Sequence, residues 1–207
     1  NLAALQGLAT QVNNDAVAAG DPNPLYVAHL VPATAAGTQN VGFLVKTSRV
    51  TVNTVTQNEL PGCVNTVATC YTYINPTTSL PDVLNGRPPL LLDAVVDPTG
   101  TPTPVLVVVN HTRSFIDIDA DPGAGVRVRA KRKAQAEFLA SYLDTLQDNN
   151  PGVSVISVGD YNAYEFSDGF TDPIATIKGT PTADDEIGVD ASPDSVAITL
   201  GTFKFDF

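Results

Sequence analysis

The chain of 207 residues contains no methionine and no tryptophan, only two cysteines and two histidines, and half as many basic as acidic residues. Each scarcity excludes something. No apolar run approaches the roughly 20 residues a membrane-crossing helix needs, so no span is expected. Two cysteines without nearby histidines cannot build a tetrahedral zinc site. A formal charge of -11 argues against a general polyanion binder, because phosphate affinity comes from clustered Lys and Arg. It leaves room for an enzyme acting on phosphate esters, which needs carboxylates for a cation and only a local basic patch for substrate. The missing methionine implies that a natural start was removed, with a signal peptide or by deeper truncation. The absence of Trp decides nothing.

What is present reads as one α/β domain over residues 1–207. Cys63 and Cys70, spaced C-x6-C in the polar stretch GCVNTVATCYT, suit a local disulfide that pins a surface hairpin. Such a bond implies an oxidising, extracytoplasmic setting; two unpaired thiols are the rival reading. Residues 1–20 carry apolar positions at a helical period, ended by Asp21-Pro22-Asn23-Pro24. Strands are expected over 26–31, 41–45 and 49–55, then a long polar connection from 57 to 81. Leu90 to Val96 and Val105 to Val109 read as buried strands. A Gly/Asp-rich loop over 117–125 precedes a helix over 129–147, with Phe138, Leu139, Tyr142, Leu143 and Leu146 on one face. Val153 to Val158 is the next strand, and Val196 to Phe205 a late one.

Strand, helix and strand over 105–158 form a β-α-β unit. Such a crossover makes two parallel strands, often neighbours, with the same end up. Asn110 and His111 follow the first strand; Gly159, Asp160, Tyr161 and Asn162 follow the second. The sequence therefore places a histidine and an acid/amide pair at one sheet edge, where open α/β sheets hold their ligands. Taken singly, a histidine after a strand is commonly a hydrogen-bonded loop residue, and a Gly-Asp pair commonly a turn.

The stretch VISVGDYNAYEFSDGF resembles the strand and Gly-Asp-Phe-Asn signature of the endonuclease/exonuclease/phosphatase superfamily, which contains deoxyribonuclease I, with Tyr161 in place of Phe. VLVVVNHTRS resembles that superfamily's strand ending in a catalytic histidine. NGRPPLLLDAVV resembles the strand whose Arg contacts phosphate, and VGFLVKTSRV the earlier central strand. The order and spacing agree over about residues 40–180, most closely with bacterial extracellular nucleases. The resemblance implies a two-sheet α/β sandwich of mixed strands flanked by helices, and metal-dependent phosphodiester hydrolysis. It implies that Asp160 orients or deprotonates water, that Asn162 binds phosphate and steadies the metal, and that His111 donates to a phosphoryl oxygen. Arg87 would hold the phosphate as a charged fork. Mg2+ or Mn2+, with Ca2+ a further candidate, would bind at Asp160 and Asn162. The family's main metal-binding Glu and its terminal Asp-His pair are not in this sequence, so the domain reads as partial and activity of the isolated chain as doubtful.

Arg127, Arg129, Lys131, Arg132 and Lys133 hold nearly half of the basic residues, at a helix start where cations oppose the macrodipole. Phosphate-backbone binding, through Arg127 and Arg129 above all, is one reason; a solvated face or pairing with the acidic loop is the other. In that loop Asp117, Asp119 and Asp121 alternate as in a calcium loop, but Gly123 falls one place late and Val128 stands where Glu belongs. A mobile rim of the cleft is the better reading. Glu165 and Asp168 suit either a second metal shell or plain surface; Asp184, Asp185, Glu186 and Asp190 read as solvated acids, and His29 as structural. Three functions stay open: an extracellular nuclease on DNA or RNA, a phosphatase or lipid phosphodiesterase on the same fold, and a non-catalytic secreted structural or adhesive domain. Uncovered sheet edges also leave self-association open.

Overall fold

The computed structural model describes residues 1–32, 39–64, 66–97, 100–120 and 123–180. The expected late strand, the acidic cluster at 184–190 and Asp121 lie outside the described residues. Helix α1 (Leu2–Ala18) is followed by strands β1 (Tyr26–His29), β2 (Phe43–Lys46) and β3 (Val50–Gln57). A short hairpin of β4 (Thr72–Asn75) and β5 (Leu80–Val83) precedes β6 (Leu90–Val96) and β7 (Thr103–His111). Helix α2 (Ala124–Asn149), strand β8 (Ser154–Asp160) and the short helix α3 (Pro173–Ile177) complete the described chain. It is a mixed α/β architecture with several sheets.

The central sheet runs in the order β3-β6-β7-β8. Its first three strands are antiparallel, and β7 and β8 are parallel because α2 carries the chain back between them. The uneven alternation after Val52 has a physical cause: the β3–β6 register shifts between Val52 and Thr54, leaving Asn53 to donate to Asp93 at 2.9 Å. Pro104 sits in β7 without disturbing that pairing, since β8 joins β7 only from Val105 onward.

Strand alternation sends side chains to both faces of this sheet. Leu92, Ala94, Val105 and Val107 pack with Val50, Val52 and Val55, and with Phe43 and Val45 of the β1–β2 hairpin. Leu106, Val108 and Asn110 are buried on the other face. Gln135 and Leu139 of α2 meet Asn110 there, around a small space. The two layers thus clamp β7 and leave its C-terminal end as a rim. Among the described residues the outer edges of β3 and β8 have no strand partner. No helix among them is long and apolar enough to cross a membrane.

Three expectations are corrected. Cys63 and Cys70 are bonded, but they close a turn ahead of the β4–β5 hairpin instead of pinning the hairpin itself. Helix α2 begins at Ala124, inside the expected loop, so most of the basic cluster lies beyond its first turn. The buried face of α2 is not the apolar set read from the sequence. It consists of Gly125, Val128, Arg129, Arg132, Gln135, Ala136 and Leu139, and only Leu139 is common to both.

Candidate functional site

The site begins with register. In the parallel ladder of β7 and β8, Asn110 lies opposite Gly159 and His111 opposite Asp160. The strands lie so close here that a Cβ at position 159 would fall 2.1 Å from the Asn110 carbonyl oxygen, and φ is +130°. Only glycine fits this position. His111 Nε2 stands 3.7 Å from Asp160 Oδ2, with the carboxylate 63% exposed and the imidazole 22% exposed. That distance is too long for a hydrogen bond.

The turn after β8 is built from its own side chains. Asp160 Oδ1 accepts from the Asn162 amide at 2.8 Å, which holds Asn162 in the left-handed region at φ 45°. Asn162 Nδ2 donates to the Thr112 carbonyl at 3.1 Å, leaving Oδ1 as the end able to accept from or ligate a substrate. Thr112 answers across the gap: its amide donates to the Asp160 carbonyl at 3.1 Å and its hydroxyl to the Tyr161 carbonyl. Tyr161 carries a hydroxyl that must be satisfied. It meets Ser157 Oγ at 2.6 Å, and Ser157 in turn accepts from the buried Asn110 amide at 3.0 Å.

Arg87 reaches the site from the loop before β6. Its Nη2 donates to the Thr112 carbonyl at 2.8 Å and its Nη1 to Gln39 Oε1 at 2.9 Å. The guanidinium is thereby held beside His111. Burial first, and then the positive charge of Arg87, push the imidazole pKa below its ordinary 6.5, while Asp160 pulls it upward. His111 is therefore neutral at pH 7 and offers one N–H donor.

Arg132 of α2 supports the whole arrangement from below. Its Nη1 donates to the carbonyls of Arg113 at 2.9 Å and Asn162 at 2.6 Å, and its Nη2 to Asp168 Oδ2 at 2.8 Å. Both partners of that pair are buried, 1% and 5% exposed. Asp168 also accepts from the amides of Phe170 and Thr171 at 3.0 and 2.8 Å. It is not a surface acid; it locks the 160–171 loop. Phe115 lies under the Arg132 guanidinium at 4.1 Å and contacts Tyr164, which stacks on Phe166 at 5.1 Å.

The expected phosphate-binding trio separates. Arg87 is at the site. Arg127 lies beside Tyr73, whose phenol is pushed up to about 12 by burial and by Asp82, with Arg127 opposing the rise. Arg129 is fully buried, with Nη1 donating to the Ile118 carbonyl at 2.8 Å and its guanidinium 4.5 Å over Phe170. A side chain so placed cannot meet a substrate phosphate, which corrects that assignment. Sequence reasoning passed over Arg113 and Gln135 as site residues, and read Lys131 and Arg132 only as members of one basic run. A signal was available: Val128, Arg132, Gln135, Ala136 and Leu139 step at helical spacing, so the two polar residues share an apolar face.

The donors fit a hard divalent cation in kind. Asp160 supplies a carboxylate and Asn162 a carbonyl oxygen, and Mg2+ or Mn2+ takes one or two such ligands while keeping waters. Among the described residues no three His, Cys, Asp or Glu side chains converge, so they form no closed cage of the kind calcium uses.

No protein-family model matches the chain, and neither does any curated protein. Among solved structures it is similar to a functionally unknown conserved protein from Enterococcus faecalis, at 17% identity and TM-score 0.44, covering 83% of this chain and 54% of that one. The catalytic domain of human Nocturnin, solved with a bound sulfate, matches at 12% identity and TM-score 0.41, over 78% and 47%. Sphingomyelinase C from Streptomyces griseocarneus matches at 25% identity and TM-score 0.30, over 46% and 29%. The chain thus spans about half the length of the first two and less of the third.

Proposed function

We propose that this chain is a metal-dependent phosphodiesterase of the deoxyribonuclease I-like class, acting on DNA or RNA outside the cell. The observation that carries this reading is the β7–β8 register, which sets a neutral His111 against Asp160, with Nε2 to Oδ2 at 3.7 Å. Asn162 and Arg87 share the Thr112 carbonyl beside them. The motif order around these four residues supports the same class.

In this reading a phosphodiester enters the rim with its non-bridging oxygens toward Arg87 and His111. Arg87 supplies a permanent planar charge, and the His111 N–H strengthens its bond as negative charge grows on the phosphoryl oxygen. Asp160 aligns a water for in-line attack and accepts its proton, while Asn162 Oδ1 helps fix the water or cation. A cation bound at Asp160 and Asn162 would supply charge neutralisation at the phosphate. No covalent intermediate is required. The disulfide between Cys63 and Cys70 supports an extracytoplasmic setting.

The test is cleavage of plasmid DNA and of structured RNA with Mg2+ or Mn2+, comparing the chain with an Asp160→Ala, His111→Ala double variant. Metal-dependent cleavage that falls by at least about 100-fold in the variant supports the reading. Equal turnover by both proteins sinks it. Absence of turnover by either on nucleic acid, with hydrolysis of a choline phospholipid, would favour the lipid phosphodiesterase reading. Silence on all substrates would leave either an incomplete piece of such an enzyme or a non-catalytic secreted domain.

A further inference from the structure

A cleft of about 470 Å3 opens directly beside His111, lined by Gln39, Gly86, Arg87, Arg113, Lys131 and Gln135. Three cationic side chains thus arrive from three separate elements: the loop before β6, the loop after β7, and α2. Among the described residues no carboxylate lines this cleft, in a chain whose formal charge is -11.

Arg113 and Lys131 are held in place. Arg113 is clamped through its backbone: its amide donates to Gln135 Oε1 at 2.8 Å, and its carbonyl accepts from Arg132 at 2.9 Å. Its Nη2 rests on the Ile116 carbonyl at 3.3 Å. Lys131 donates one N–H to the Val83 carbonyl at 2.7 Å and lies 5.7 Å over the Tyr73 ring. An ammonium carries three donors, so two remain for a ligand. Asp82 is the acid that faces Lys131, and it already accepts from the Tyr73 hydroxyl at 3.2 Å and the Val83 amide at 2.8 Å. Burial lowers the Lys131 pKa, Asp82 opposes that, and the charges of Arg127, Arg113 and Arg87 add to the lowering. Convergent like charges of this kind are relieved by a bound anion.

We propose that Arg113 and Lys131 form a second phosphate subsite, one linkage along from the phosphate held by Arg87 and His111, so that the substrate is a polynucleotide strand and not a single-phosphate ester. The inference rests on the phosphodiesterase reading of the His111–Asp160 site and deepens it. A phospholipid headgroup with a single phosphate, such as phosphocholine, or a phosphate monoester would occupy one subsite and leave the other empty. A strand places one charge after another along the cleft.

The test compares two probes on the full chain by fluorescence anisotropy and competition, in Mg2+. One is a single-stranded phosphorothioate oligothymidylate of about eight nucleotides, within the range one binding groove covers. The other is thymidylyl-thymidine, which carries a single diester. Arg113→Gln should weaken the oligomer about tenfold more than the dinucleotide, and should lower the salt slope of oligomer binding by about one. Circular dichroism and a thermal unfolding scan confirm that the variant folds; the wild-type salt slope, read without any variant, should correspond to at least two phosphates. Equal weakening of both probes, an unchanged slope, or Arg113-dependent binding to phosphatidylcholine vesicles overturns the subsite. If wild type binds the dinucleotide as tightly as the oligomer, the subsite fails while the phosphodiester reading stands. If it binds neither, the phosphodiester reading fails, and the subsite with it.

Discussion

Two sets of cations, drawn largely from one helix, meet opposite fates. Arg129 and Arg132 turn inward and spend their donors on carbonyl groups of the loops at 118, 113 and 162. Lys131 lies between them in sequence but on another face of α2, and it lines the cleft with Arg87 and Arg113. Residue type does not separate the sets, since Arg occurs in both. Position around the helix does, because a step of one residue turns the side chain by about 100°. The inward pair holds the loops around His111 and Asn162, and the outward set lines the cleft beside them. A basic run in a sequence is therefore not one feature, and counting its charges overstates what a ligand can meet.

The sharpest way to break this division is Arg132→Ala. It leaves Asp168 buried and unpaired and strips the Arg113 and Asn162 carbonyls of a donor, so stability should fall by about 3–5 kcal/mol in a urea titration. A loss under about 1 kcal/mol would mean that the inward set is not structural. Arg87→Gln should act the other way, reducing phosphodiester turnover by about 100-fold while the urea midpoint moves little. Loss of fold in this variant would merge the two sets.

The smallest effect is on His111 itself. Its folded-state pKa is lowered, so the folded protein prefers the neutral ring. The stability this contributes is present above the unfolded value of about 6.5 and is lost as pH falls through the folded value. An NMR titration of the imidazole should find a pKa below 6.5, raised by Arg87→Gln and lowered further by Asp160→Asn. The opposite signs would show that Arg87 does not face the ring.

The candidate site was legible where chemistry follows directly from strand ends. A crossover helix between two apolar runs forces parallel strands, and their lengths then set His111 opposite Asp160. The β6 strand was read at its true bounds, Leu90–Val96, because an apolar run interrupted only by Asp93 marks a largely covered strand. The site was not legible where long polar side chains choose between core and solvent. Arg129 and Asp168 look like surface charges because charged residues are rarely buried unless paired. Their partners, Ile118 and Phe170 for the one and Arg132 and Thr171 for the other, come from loops or from another element.

The sequence by itself determined the α/β class, the β-α-β frame and the edge at which a histidine and a Gly-Asp-Tyr-Asn turn meet. These depend on local periodicity and on the handedness of a single crossover, which act over a few tens of residues. Tertiary structure alone decided that Arg132 anchors the two loops at the sheet edge, and that Arg113 and Lys131 share one cleft. Those outcomes depend on which distant carbonyls become available as elements pack, and no pattern along the chain encodes a hydrogen bond between residues 36 positions apart, the separation of Arg132 and Asp168.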